Sequence, residues 1–79
     1  MARKKTKRIV VAFGGTAQAL FMEQCALKEK TEGRLIPLPG EISAECGLAW
    51  SAPAEAEEEV KKTIKQHQIQ IEGIYFLFL

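Results

Sequence analysis

The chain has no aspartate, one histidine, one tryptophan, one tyrosine and only two cysteines. Each scarcity removes a class of function. With no aspartate, and with its one imidazole (His67) on a helical segment, no set of nucleophile, base and orienting group can be assembled, so the sequence argues against an enzyme. Cys25 and Cys46 stand too far apart for a metal-binding Cys pair, and one histidine cannot complete a zinc site with them. No cofactor and no metal are expected. Two cysteines build no disulfide framework either. Apolar runs are short: Ile69 to Leu79 is interrupted by Glu72 and falls well below the roughly 20 residues of a membrane span. The run Ile9 to Phe13 follows a basic start, and Ala17-Gln18-Ala19 imitates a cleavage site. It is still shorter than the about 7–15 residues of a secretory hydrophobic region. A cytoplasmic location with reduced thiols is the resulting expectation.

What the chain does have is the composition of an ordinary globular fold, 47% hydrophobic and 27% charged over 79 residues. A chain of this size buries about 60% of its unfolded surface, enough for one small core. The formal charge of +1 hides an asymmetry. Arg3, Lys4, Lys5, Lys7 and Arg8 crowd the start, while the remainder carries six basic and ten acidic residues, every acid a glutamate. Residues 1–8 therefore read as a flexible basic arm and residues 9–79 as a single domain. The arm reads as a solvated terminus and not as a nucleic-acid footprint, because the body offers no basic stripe or aromatic platform to continue it.

Hydrophobic periodicity orders the domain. Ile9 to Phe13 is a β-branched-rich run closed by Gly14-Gly15, a buried strand. Thr16 can cap a helix to about Lys30, with Ala17, Leu20, Phe21 and Leu27 on its inner face and Cys25 at the edge. Gly33 ends that segment. Arg34 to Leu38 is a second strand, stopped by Pro37, Pro39 and Gly40. Gly47 to Ser51 is a third, with Leu48 and Trp50 on one face. Pro53 suits the first position of a second helix, whose start is rich in glutamate and whose end is rich in lysine. Ala56, Val60, Ile64 and His67 line its inner side. Ile69 to Leu79 is the last strand. The order β-α-β-β-α-β predicts an α+β, ferredoxin-like two-layer sandwich: an antiparallel four-stranded sheet, strand four beside one, then three, then two, with both helices on one face.

This topology gathers Gly14-Gly15-Thr16, the loop Pro39 to Cys46, and His67-Gln68 at one end of the sheet. It brings the basic arm near Glu55 to Glu59 at the other. Cys46 leaves an irregular loop directly before Gly47, a placement that makes a thiol accessible. The helix start at Gly14, Gly15 and Thr16 offers free N–H groups that favour a thiolate, and His67 offers a proton acceptor. The residues alone leave two readings of Cys46, a reactive thiol or a small buried apolar group. Cys25, on the flank of an apolar helical stripe, reads as core. Tyr75 to Leu79 is apolar on both strand faces, which predicts cover for the outer sheet face by a second copy or a partner; Trp50 joins that surface if it points outward.

The segment Leu35-Ile36-Pro37-Leu38-Pro39-Gly40-Glu41-Ile42-Ser43-Ala44-Glu45-Cys46-Gly47-Leu48-Ala49 resembles the short bacterial proteins known as selenium/sulfur carrier-like. Ile71-Glu72-Gly73-Ile74-Tyr75 is similar to that family's C-terminal strand, and the likeness covers roughly residues 8 to 77. The chain departs from the family's pattern at Gly40, where arginine is common, and at the start of the first helix. The resemblance implies a non-enzymatic thiol carrier. Cys46 would accept sulfur or selenium as a persulfide or perselenide from a cysteine desulfurase or selenocysteine lyase and hand it to an acceptor enzyme. Gly47 would allow close approach of the donor, and Pro39, Gly40, Glu41, Ile42 and Ser43 would form the docking loop. The alternative is an interaction or regulatory domain in which Cys46 is structural.

Overall fold

In the computed structural model, residues 5–42 and 47–79 are described. The order is β1 (Lys7–Ala12), α1 (Thr16–Glu29), β2 (Arg34–Pro37), β3 (Leu48–Pro53), a 3-10 turn (Ala54–Ala56), α2 (Glu57–Gln66) and β4 (Gly73–Phe78). The strands form one sheet in the order β2-β3-β1-β4, and every pairing is antiparallel. This is an α+β architecture consistent with a ferredoxin-like fold.

β1 is apolar throughout because both of its faces are buried. Ile9 and Val11, with Phe13 just beyond the strand, point into the main core with Trp50 and Ala52; Val10 and Ala12 point the other way. α1 and α2 pack on the Ile9 side, contributing Ala19, Met22, Cys25, Ala26 and Val60. Leu48 and Trp50 share this face as expected, and Trp50 is therefore not part of the outer surface.

The inner face of α1 is corrected by the structure. Ala19, Met22, Cys25 and Ala26 are buried, while Leu20, Phe21 and Leu27 are 47%, 40% and 75% exposed and Ala17 faces solvent. Apolar residues surround most of this helix, so period alone could not choose a face. The space over the sheet is already filled by Phe13, Met22 and Trp50, and small residues let the helix approach it closely. Thr16 is likewise corrected: Gly15 is the N-cap, no side chain caps the helix, and Thr16 is its first residue.

Other boundaries move for local reasons. Pro53 ends β3 in an extended conformation, and the 3-10 turn intervenes before α2 begins at Glu57. α2 ends with Gln68 in the left-handed region (φ 52), where the Ile69 N–H donates to the Ile64 carbonyl at 3.0 Å. That turn sends the Ile69 side chain into the core, so β4 starts at Gly73 and not at Ile69.

The outer sheet face is half covered by the chain itself. Between β2 and β3 the backbone turns back, with Ile42 N–H donating to the Pro39 carbonyl at 3.0 Å and Leu38 N–H to the Gly47 carbonyl at 2.9 Å. Ile42 is 6% exposed and packs with Val10, Ala12 and Ala49, flanked by Ile36, Leu38 and Leu77. The doubly apolar β4 thus finds part of its cover within its own chain; Phe78 stays 64% exposed at the sheet edge.

Candidate functional site

Cys46 and Ser43 lie outside the described residues. The framework that carries them is visible on both sides. Pro39 to Ile42 forms the turn above, in which Gly40 and Glu41 are exposed and Ile42 is the anchor. Gly47 has φ +74, a left-handed conformation that glycine adopts without steric cost, and nothing lies within 4 Å of a Cβ placed there. The glycine after Cys46 therefore has a backbone requirement of its own.

The expected gathering at one sheet end is only partly realised. Gly14 and Gly15 border a cavity of about 360 Å³ together with Gln18, Gln70, Ile71 and Glu72. Glu72 folds over Gly14, so that a Cβ there would sit 3.6 Å from the Glu72 carboxyl carbon. The positive end of the α1 dipole thus already has a carboxylate beside it, which weakens its availability to a thiolate. His67 is directed elsewhere. Its Nε2 lies 2.9 Å from Glu29 Oε2, at the C-terminal end of α1, which is about 20 Å along the helix from Thr16. His67 joins the two helices and does not face the Gly14-Gly15-Thr16 turn.

The second thiol is accounted for. Cys25 is 5% exposed within the main core, and burial is the first cause that pushes its thiol up from the ordinary value of 9.0; Lys28 lowers it and Glu29 raises it. A raised thiol pKa stabilises the fold fully below the unfolded value, and this contribution fades as pH climbs from there through the folded value. Stability should therefore fall more steeply above about pH 9 in the wild type than in Cys25→Ala. Chemical denaturation across neutral to alkaline pH checks this, and parallel slopes would contradict it. Alkylation of Cys25 should likewise be slow in the folded protein and fast in denaturant.

One feature escaped the sequence reading. On the sheet face away from the helices, below the Ile42 loop, a cavity of about 450 Å³ is lined by Lys5, Arg8, Arg34, Ile36 and Ser51, among others. Strand parity carries the signal: Arg8 shares a face with Val10 and Ala12, and Arg34 with Ile36, so all face the outer side. Among the described residues of the basic start, Lys7 and Arg8 have partners other than the expected Glu55–Glu59; Arg3 and Lys4 lie outside the described residues. Arg8 Nε donates to Ser51 Oγ at 2.7 Å, and Lys7 Nζ lies 5.6 Å from the Phe76 ring centre. Among the described residues no group of acidic, cysteine and histidine side chains could hold a metal ion, and no helix is long and apolar enough to cross a membrane.

No curated protein and no solved structure matches the chain. The profile of the family described as putative Se/S carrier protein-like does match, over residues 8–76, and the protein belongs to that family.

Proposed function

We propose that this protein is a thiol carrier that holds sulfur or selenium on Cys46, in the reducing cytoplasm and on a ferredoxin-like scaffold. The observation that carries the reading is the family match across residues 8–76, which includes Cys46. The burial of Cys25 supports it, because a persulfide on Cys46 then meets no exposed second thiol of the same chain that would displace it.

The chemistry is an exchange without net redox change. The Cys46 thiolate attacks the outer sulfur of a persulfide on a donor enzyme of the desulfurase or selenocysteine lyase class. The donor's sulfur–sulfur bond breaks, its cysteine leaves as a thiolate, and a new sulfur–sulfur bond forms on Cys46. An acceptor's nucleophile then attacks the terminal sulfur, and Cys46 leaves as the thiolate it began as. The selenium cycle is identical with selenium as the outer atom. The scaffold supplies fixed anchors: Ile42 seated on the sheet and the Leu38–Gly47 hydrogen bond at the base of the loop. No role in tuning the thiol is assigned to His67, whose imidazole is engaged by Glu29.

Incubation with a cysteine desulfurase and cysteine, followed by alkylation and intact-mass measurement, tests this. The expected result is a gain of one sulfur atom, mapped to Cys46, retained in Cys25→Ala and lost completely in Cys46→Ser. A wild-type protein that gains no sulfur from either a desulfurase or a selenocysteine lyase would return Cys46 to the structural reading and leave an interaction domain.

A further inference from the structure

The basic cavity on the outer sheet face is built around a partly buried arginine, Arg8, that has no ion pair among the described residues. Ser51 is 2% exposed, and its hydroxyl accepts the Arg8 Nε–H at 2.7 Å. This fixes the plane of the guanidinium and leaves its four terminal N–H donors free of that bond. Arg34 stands in register with Ser51 across the β2–β3 pair, on the same face, and Lys5 completes the cationic wall. Among the described residues no glutamate side chain lines the cavity. The ion pairs of the described residues, Lys61 with Glu57 and His67 with Glu29, both lie on the helices and involve none of these three cations.

A guanidinium withdrawn from water without a partner is costly, and an incoming anion relieves that cost. The number of cations sets the class of anion. A carboxylate brings one charge and two oxygens. A phosphate group brings nearly two charges and three terminal oxygens, one for each of Lys5, Arg8 and Arg34. Ile36 and Leu79 add an apolar wall beside the cations, suited to an organic substituent. The cavity volume of about 450 Å³ falls in the range of small-molecule sites, about 300–1,000 Å³. Nucleic acid fits less well: β1 and β3 present Val10, Ala12, Ala49 and Ser51 on this face, and the exposed ring that β4 adds, Tyr75 opposite Val10, lies back against Gly73, away from the cations.

We propose that the groove formed by Lys5, Arg8, Arg34 and Ser51 binds a small phosphate monoester, its phosphate held between the two guanidinium groups and its organic part against Ile36 and Leu79. The site occupies the start of β2 and the end of β3, whereas the loop bearing Cys46 joins the end of β2 to the start of β3. Binding is accordingly expected in Cys46→Ser as in the wild type, independently of sulfur transfer.

An amide chemical-shift titration at constant physiological ionic strength tests the proposal, with inorganic phosphate and with phenyl phosphate as probes. Saturable shifts at Arg8, Arg34, Ile36 and Ser51 are expected, with phenyl phosphate binding more tightly than inorganic phosphate. Arg34→Gln, at an exposed sheet-edge position that the fold does not depend on, should weaken binding about tenfold. Arg8→Lys, which keeps the charge but loses the fork, should also weaken it, while Lys62→Gln should not. Shifts that follow added salt alone, or that persist unchanged in Arg34→Gln, would overturn the proposal. A single-stranded oligonucleotide that binds this face more tightly than phenyl phosphate would overturn it in favour of a nucleic-acid surface.

Discussion

Gly33→Ala is expected to remove on the order of half of the domain's stability. Gly33 has φ +126, a region essentially closed to residues with a Cβ, and adopting it costs about 1–3 kcal/mol. There is also no room. A Cβ would sit 2.7 Å from the Ser51 carbonyl oxygen and 2.8 Å from Cε2 of the Trp50 indole. The indole cannot yield, because it is buried in the core and its Nε1–H donates to the Glu32 carbonyl at 3.2 Å. The turn is held from the other side as well: the Glu32 N–H donates to Glu59 Oε1 at 2.7 Å, and the Thr31 hydroxyl bonds the buried Thr63 hydroxyl at 2.5 Å. Overpacking adds about 1–3 kcal/mol, for a total of about 2–6 kcal/mol. A chain of this length has about 4–12 kcal/mol of stability in all. Urea denaturation followed by Trp50 fluorescence measures the loss. Gly15→Ala is the control: φ there is −162, ordinary extended backbone, and nothing lies within 4 Å of an added Cβ. A Gly33→Ala loss no larger than that of Gly15→Ala would refute the argument.

Ile42→Ala is expected to release the loop between β2 and β3 without melting the helices or the sheet. Its side chain is the buried link between that loop and the outer-face cluster of Val10, Ala12 and Ala49. Truncating a buried isoleucine costs about 2–4 kcal/mol. Here the cost falls on a segment whose described residues are also held by the backbone bonds from Ile42 to Pro39 and from Leu38 to Gly47. Amide exchange at Leu38 and Ile42 should accelerate about thirtyfold or more. Trp50 fluorescence should hardly change, since Trp50 lies on the opposite face of the sheet. Equal acceleration throughout β1 would show that the two clusters open as one unit and that the loop has no independence.

Element order was legible because each segment carries its own local signal: β-branched residues closed by Gly14-Gly15, prolines after Ile36, and a charge gradient along α2. The inner face of α1 was not, because Leu20, Phe21 and Leu27 are as apolar as the residues that are buried, and only the volume above the sheet decides between them. The start of β4 was missed because Ile69 and Ile71 look like strand residues, yet they fill the core under α2 after a left-handed turn at Gln68. Cys46 stands out by its place before Gly47 at the exit of a loop bounded by proline and glycine and by the motif around it, while its own position lies outside the described residues. Topology brings His67 to the sheet end of Gly14-Gly15-Thr16, whereas its imidazole bonds Glu29 at the far end of α1, because α2 stops at Gln66 and the chain from His67 to Glu72 covers the remaining distance to β4. The basic groove went unread because Arg8 was counted with the arm and Arg34 with a strand; only their pairing partners bring them together.

The central position of β1 bears on how the chain acquires its fold during synthesis. β1 is made before either of its two neighbours, β3, residues 48–53, and β4, residues 73–78. No adjacent segment can pair with it in the meantime. The apolar residues Ile9 to Phe13 must therefore wait in an emerging chain until residues 48–78 have been translated, a consequence of contacts between residues far apart in sequence. The lysines and arginines immediately ahead of that run then act during this interval as gatekeepers, their mutual repulsion keeping unpaired β1 segments of neighbouring nascent chains apart.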